Sequence, residues 1–578
     1  MKLIFRYIAR YKWIFMLVML IKLMGTLAEL TIPYILEYMI DSITPGGSLA
    51  PVFRWGALMF VMAFVTMAFN ALANNRSVWN AHNVSYNIRQ DLFEKVINLN
   101  GTDFDTAGLP SLISRMTSDS YNVQTAVQQL QSMCVRAPMM LAGGLIMTFL
   151  MDAHLALILA VMCPFLVGIA IFVSSKGIPL YHTVQSKLDD VVRIMRENIT
   201  GIRVVKALSK EEYEKKRFSD ASAEMTQRDI KASTIMALPG PTMQLCLNIG
   251  LVIVVILGAQ RVNAGTMKPG VILAFLQYFN MITMGVMGMN RIFLSLSKAA
   301  ASAGRIEKIL QFNTEQTILT EEEALKPSGD EFIRFENVDF YYGGKLNIDS
   351  REKALDNISF AIKKGGSLGI IGPTGCGKTT IINLLMHFYD ASNGGVFING
   401  RDVRTYEKDE LHRMFGVCFQ NDMIFQDTLR ENISFGRGLS DEKITNAIHD
   451  AMAAEYVDSL DEGFNYMAAI KGANLSGGQK QRILVARALA ADPDILILDD
   501  SSSALDYKTD ADMRKAITEN HDESTLILIA QRVSSVMNMD QILVMDEGKC
   551  IGLGTHEELL ESCPSYREIY NTQMGALN

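Results

Sequence analysis

Two textures divide the chain. Up to about residue 300, long apolar runs alternate with long polar ones; beyond it the apolar runs shrink to a few residues. Six of the early runs reach the roughly 20 residues that a helix needs to cross a bilayer. They are 13–40, 55–73, 133–151, 153–174, 234–260 and 271–296. The first is too long for a secretory signal. It runs into the polar turn Asp41-Ser42-Ile43-Thr44-Pro45-Gly46-Gly47 with no small-residue cleavage site before it.

The polar stretches between these runs are themselves periodic. In 183–232, Val191, Ile194, Ile199, Ile202, Val205 and Leu208 recur among charges at helical spacing, with few breakers. Spans two to five are therefore expected to continue as helices far beyond the membrane. Their bends are expected near Gly101-Thr102-Asp103-Phe104-Asp105 and Leu208-Ser209-Lys210-Glu211-Glu212. Lys2, Arg6, Arg10 and Lys12 precede the first span and a dense basic stretch, Lys176 to Lys231, follows the fourth; the turn after the first has no Lys or Arg before Arg54. The positive-inside rule then puts 74–132, 175–233, both termini and everything after the sixth span on the cytoplasmic side of a cell membrane.

Lys22, Glu29, Glu37, Arg136, Asn248 and Asn290 fall inside or at the edge of spans. Intramembrane charges are costly and turn toward a cavity or a partner helix. Met281, Met284, Met287 and Met289 cluster in the sixth span. Such a surface suits ordinary packing, and it also suits varied ligands.

Composition fits a chain that is part membrane and part water-exposed. AVILMFWYC make up 49% and charged residues 20%, and 54 Lys and Arg plus 62 Asp and Glu must sit in water. A net charge of −8 offers no basic surface for nucleic acid. The seven cysteines are odd in number and hold no CxxC pair, which argues against a disulfide framework or zinc site.

After a polar, acidic linker at 311–330 the period changes. Phe332-Ile333-Arg334-Phe335 and Ile358-Ser359-Phe360-Ala361-Ile362 alternate like strands, and Ser367-Leu368-Gly369-Ile370-Ile371 reads as a buried parallel strand. That strand enters Gly372-Pro373-Thr374-Gly375-Cys376-Gly377-Lys378-Thr379-Thr380 and a helical run. This is a complete G-x-x-x-x-G-K-[ST] phosphate loop in its strand–loop–helix setting. Backbone N–H groups and the helix dipole face the phosphates of ATP. Lys378 neutralises phosphate charge and Thr379 offers an oxygen to Mg²⁺. A second apolar run, Ile495-Leu496-Ile497-Leu498, ends in Asp499-Asp500. It sets Asp499 at a strand's carboxyl end, where nucleotide sites of open α/β sheets lie, as the carboxylate on the Mg²⁺ side. Leu475-Ser476-Gly477-Gly478-Gln479 opens a helix. By itself it reads equally as an anion site or as an ordinary N-cap.

With these motifs assembled, the chain resembles the ATP-binding cassette (ABC) exporters over essentially its whole length. The resemblance implies a half-transporter: a multi-pass α-helical membrane domain of the type IV exporter fold (1–310), the linker (311–330) and an α/β P-loop ATPase domain (331–578). It implies that Tyr342 stacks on adenine and that Gln420 senses Mg²⁺ and the membrane domain. It makes Leu475–Gln479 the signature motif and Ser503-Ala504-Leu505-Asp506 the D-loop. The bends near 101–105 and 208–214 become coupling helices. Two cassettes in such proteins pair head to tail, the signature of one completing the ATP site of the other. Substrates are expected to be small amphipathic drugs or lipids. Peptide export of this family usually carries an N-terminal protease domain, for which residues 1–12 leave no room, so dedicated leader-cleaving export is not expected.

Two positions depart from the pattern. Asp500 stands where the family has the glutamate that polarises attacking water, and Gln531 stands where it has the switch histidine. The usual glutamate before the signature is also missing from Ala469-Ile470-Lys471-Gly472. The binding groups Lys378, Thr379, Asp499 and Tyr342 are intact. The expectation is a site that binds ATP–Mg²⁺ and hydrolyses it slowly, in a heterodimer whose second half-transporter carries the competent site. A slow homodimer and an ATP-gated, channel-like protein are the alternatives.

Overall fold

A computed structural model describes residues 1–43, 49–312, 318–320, 322–343, 353–420 and 422–574, save the side chains at 43, 170, 174, 178, 182, 239, 290 and 294. The 44–47 part of the polar turn, linker residues 313–317 and 321, and the Asn290 side chain lie outside the described residues. The chain divides into two compact units, Met1–Ile97 with Pro110–Gln311, and Asn98–Leu109 with Phe312–Asn578.

The first unit is all helix. Among the described residues six helical stretches are long and apolar enough to cross a membrane: Lys12–Ser42, Leu49–Ile97, Leu109–Met151, Ala153–Thr200, Glu211–Asn263 and Pro269–Leu310. Each expected span falls inside one of them. The helix Leu49–Ile97 has 49 residues, about 73 Å at 1.5 Å per residue, against a hydrocarbon core of about 30 Å. The surplus forms the expected extensions, and the sixth helix also runs on, past 296 to Leu310. Large apolar side chains such as Phe60, Phe64, Leu150, Val161 and Phe172 point outward. That pattern suits lipid, where helices satisfy every backbone group internally. Three of the intramembrane charges meet a group on another helix: Arg136 and Glu29 pair at 2.8 Å, and Lys22 Nζ donates to Asn74 Oδ1 at 3.0 Å.

The second unit carries ten described strands in two sheets. β1 (Ile333–Phe340), β2 (Leu355–Ile362), β4 (Asn393–Ile398) and β5 (Arg401–Asp402) form an antiparallel sheet in the order β2-β1-β4-β5. The other sheet follows the order β10-β9-β3-β8-β7-β6, from β3 (Ser367–Ile371), β6 (Phe415–Cys418), β7 (Ile495–Asp499), β8 (Thr525–Ile529), β9 (Gln541–Asp546) and β10 (Lys549–Gly554). Here β9, β3, β8, β7 and β6 are parallel and β10 is the antiparallel edge. The strands β3, β7 and β8 are buried almost throughout, as in parallel sheets covered on both faces. Their carboxyl ends lie side by side, which places the loops after them next to one another.

Candidate functional site

The loop after β3 is shaped by its glycines. Gly377 sits at φ +101°, and a Cβ there would lie 2.6 Å from the Ala354 carbonyl oxygen and 2.7 Å from Leu355 Cδ2. Both the left-handed backbone and the close approach require glycine. The loop hands over to the helix Lys378–Leu385. Lys378 Nζ donates to the Gly372 carbonyl at 2.8 Å and the Pro373 carbonyl at 2.7 Å, so its charge sits over the loop. Thr374, Gly375 and Cys376 form the rest of the turn, with Cys376 buried beneath it and Thr374 and Gly375 exposed.

Two carboxylates stand at the end of β7. Thr379 Oγ1 donates to Asp499 Oδ2 at 2.8 Å, which joins the loop helix to the end of β7. Burial pushes the Asp499 carboxyl above the usual carboxylate range, and the Asp500 charge adds to this; the Thr379 hydroxyl and Lys378 pull the other way. Asp500 stands at φ +50°, a left-handed conformation costly for a residue with a Cβ. Its N–H donates to the Ile529 carbonyl at 2.9 Å. Its Oδ2 accepts two amide hydrogen bonds, from Gln420 Nε2 at 3.2 Å and from Gln531 Nε2 at 3.0 Å. Gln420 follows β6 and Gln531 follows β8, so three strand ends converge on one carboxylate oxygen. The Gln531 carbonyl is held in turn by Gln573 Nε2 at 2.9 Å.

Tyr342 follows β1 and its hydroxyl lies 3.0 Å from Thr380 Oγ1. Its ring meets Phe340 at 4.8 Å and Tyr389 at 5.4 Å, both edge to face. Tyr389 links this cluster to the helix Gly101–Ala107, because its hydroxyl donates to Asp105 Oδ2 at 2.8 Å. Burial raises the pKa of that hydroxyl and Asp105 raises it further, so it stays a donor. Gly101 makes the contact possible: its N–H donates to the Phe388 carbonyl at 3.1 Å, and a Cβ there would lie 2.5 Å from the Tyr389 ring. Removing the hydroxyl with Tyr389→Phe deletes one hydrogen bond to a charged group, about 1.5–3 kcal/mol. Amide exchange over Gly101–Ala107 is then expected to quicken at least about tenfold, with the unfolding midpoint of the chain little changed; unaltered exchange would show that the bond does not hold the helix.

Gly477 lines one cleft with Gln420 and Asp500. Ser476 caps the helix Gly477–Leu489 in a capping box with Gln479: Ser476 N–H donates to Gln479 Oε1 at 2.7 Å, and Gln479 N–H to Ser476 Oγ at 3.3 Å. The helix start packs on the D-loop, where a Cβ on Gly478 would lie 3.2 Å from the Ala504 carbonyl oxygen. Gln481 belongs to no motif legible in the sequence. Its amide donates to Ser503 Oγ at 2.9 Å and its Oε1 accepts from the Ala504 N–H at 2.9 Å, so it ties the capped helix to the segment after Asp500. Its place one turn inside a helix that opens on Ser-Gly-Gly was the only signal available.

Thr379 and Asp499 together offer the hard oxygen donors that Mg²⁺ takes alongside waters and phosphate oxygens. Among the described residues no group of three His, Cys, Asp or Glu could hold a metal. A hydroxyl and one carboxylate fit an ion that arrives with a nucleotide.

Known proteins share this organisation. The ABC transporter transmembrane region matches residues 15–286 and the ABC transporter family matches residues 355–503. YfiB of Bacillus subtilis (strain 168), an uncharacterized ABC transporter ATP-binding protein, is 31% identical over 548 residues, 95% of this chain and 94% of its own. An ATP-dependent lipid A-core flippase of Vibrio vulnificus (strain CMCP6) is 29% identical over 520 residues, 90% of this chain and 88% of its own. The structure of a bacterial Atm1-family ABC exporter with ATP bound matches with a TM-score of 0.80 at 22% identity, over 96% of this chain and 98% of that one. With both units matched and relatives aligned almost end to end, this chain belongs to the ABC transporter family and has the fold of a type IV exporter.

Proposed function

We propose that this chain is one subunit of an ATP-driven exporter in a cell membrane, with both termini cytoplasmic. It binds ATP–Mg²⁺ at a slowly hydrolysing site and lends its signature, Ser476 and Gly478, to the competent site of a second, non-identical half-transporter. The division into a membrane domain (1–310), linker (311–330) and nucleotide-binding domain (331–578) belongs to the same reading. The observation that carries it is the Asp500 carboxylate, one oxygen of which is held by the amides of Gln420 and Gln531.

In this reading the N–H groups of Gly375, Cys376, Gly377 and Lys378 cradle the phosphates, Lys378 neutralises them, and Tyr342 stacks on the base. Mg²⁺ would be held by Thr379 and Asp499, with Gln420 beside them, and supplies charge neutralisation at the phosphates. Hydrolysis needs a base that orients water and a donor that meets the charge developing on the transferring phosphoryl. Asp500 is one methylene shorter than glutamate, and Gln531 donates a hydrogen bond but carries neither the charge nor the proton of an imidazolium. Binding therefore survives while chemistry slows. Closure of the cassettes is passed outward through contacts such as Tyr389 on Asp105, and the spans alternate between inward and outward access. The cargo is a small amphipath, lipid-like as in the flippase relative.

The test is stoichiometry and rate together. The chain purified without any other subunit should hydrolyse ATP about 100-fold more slowly than the assembly drawn from its native membrane. A native assembly of identical copies with brisk turnover would overturn the proposal.

A further inference from the structure

The membrane unit holds charges that the nucleotide chemistry does not use. Arg136 Nη2 donates to Glu29 Oε1 at 2.8 Å. The other oxygen of Glu29 and the Nε of Arg136 are buried with no hydrogen-bond partner. Lys22, 3% exposed, donates to Asn74 rather than to a carboxylate, within electrostatic range of both Arg136 and Glu29. Arg136 also lines a cleft of about 200 Å³ together with Arg291, Met133, Met140, Met284 and Met287. Arg291 is exposed and has no ion pair among the described residues. Among the described residues, Lys22, Arg136 and Arg291 thus have one carboxylate partner between them, Glu29 on Arg136.

Excess positive charge at membrane depth is costly until an anion meets it. Arginine forks match the oxygens of phosphate or carboxylate in pairs. The methionine wall offers the opposite chemistry, apolar and adaptable in shape. Depth points the same way. Arg136 lies 15 residues before the helix end at Met151 and Lys22 lies 20 before the end of its helical stretch at Ser42, or about 22–30 Å at 1.5 Å per residue. In a core of about 30 Å that is the half facing the basic, cytoplasmic side.

We propose that this cleft binds the anionic headgroup of an amphipath, a phosphate or carboxylate on an apolar body. Arg136 and Arg291 hold the oxygens, the methionines receive the adjoining apolar segment, and Glu29 is the internal anion that Arg136 exchanges for the ligand. The cleft is below the roughly 300 Å³ of the smallest drug-sized pockets, so it takes the headgroup end and leaves the tail to the bilayer. The assignment rests on the exporter reading and names its cargo class.

The test uses the full chain, with any subunit that co-purifies, in phosphatidylcholine nanodiscs. The probes are a diazirine-tailed lysophosphatidate and the same tail on lysophosphatidylcholine, with labelled peptides mapped by mass spectrometry. The anionic probe should label 133–140 and 284–291 about tenfold more than the zwitterionic one, and Arg291→Ala should remove about tenfold of that labelling. Arg291→Lys should restore part of it. Glu29→Gln should raise labelling severalfold, because it frees Arg136; a merely structural ion pair would give no rise. Equal labelling by both probes, or a fall on Glu29→Gln in protein that still binds ATP, would overturn the proposal. Competition by phosphatidylglycerol in the disc but not by soluble decyl phosphate identifies a membrane lipid as the source, and the reverse identifies a solute; competition by neither counts against the site. Intact charge-selective labelling without ATP-driven movement of the probe in vesicles would refute the exporter reading and leave the site standing.

Discussion

Asp500→Glu combined with Gln531→His is expected to raise ATP turnover at this chain's own site by about 100-fold. The reason is reach and charge. Asp500 is short, and its Oδ2 is already engaged by Gln420 and Gln531. A glutamate extends its carboxylate by about one bond beyond those amides, and misplacement of about 1 Å at a reacting centre costs on the order of 10²-fold. Gln531→His removes one of the two amides and restores a group that can carry a proton. Either change alone should recover less than the pair, since residues that act as a unit are not additive. The measurement is single-site turnover in the assembled transporter whose partner site has been silenced. An unchanged rate would show that another residue limits hydrolysis.

Lys378→Ala is expected to weaken ATP binding about 100-fold while leaving the unliganded fold in place. Lys378 makes charge-assisted bonds within the loop, to the carbonyls of Gly372 and Pro373. Against phosphates such bonds are worth about 1.5–3 kcal/mol each, and 1.4 kcal/mol is a factor of about ten. The carbonyls left behind are partly or fully exposed, so water replaces the ammonium at little cost. At an ATP concentration about 100 times the parent Kd, the stabilisation that ATP gives should therefore fall from about 2.7 kcal/mol to a few tenths, while the unfolding midpoint without ATP stays within a few degrees. ATP affinity within threefold of the parent would mean that the loop backbone alone holds the phosphates.

These two positions also show how far the residues could be read in order. Lys378 was legible because the loop's spacing places it at the start of a helix after a buried strand, a local geometry that needs no distant partner. Asp500 and Gln531 could be named from the sequence, but their meeting could not. Gln420, Asp500 and Gln531 follow β6, β7 and β8, which the sheet sets side by side with 80 residues between the first two. Gln481 went unnoticed for the same reason, since its partners lie 22 and 23 residues away across a packed interface. The capping box at Ser476 and Gln479 was open to either reading, and the structure places both partners in the cap.

The bend at 101–105 divides the same way. Its polar composition announced a turn between two long helices. Its membership in the C-terminal compact unit came from Gly101 and Asp105 meeting Phe388 and Tyr389 across 284 residues.

By itself the amino-acid order determined what is written within a few turns or strands: six apolar helices with long polar extensions, the glycine-rich loop between a buried strand and a helix, and the acid pair at a strand end. Helical and strand periods and loop glycines are short-range physics, written where they act. Tertiary structure alone decided the side-chain meetings: Asp500 between two amides, Tyr389 on Asp105, and Glu29 on Arg136 across 107 residues. Such contacts depend on how helices and strands pack, and no local spacing encodes which distant residue will complete a buried charge or a hydrogen bond.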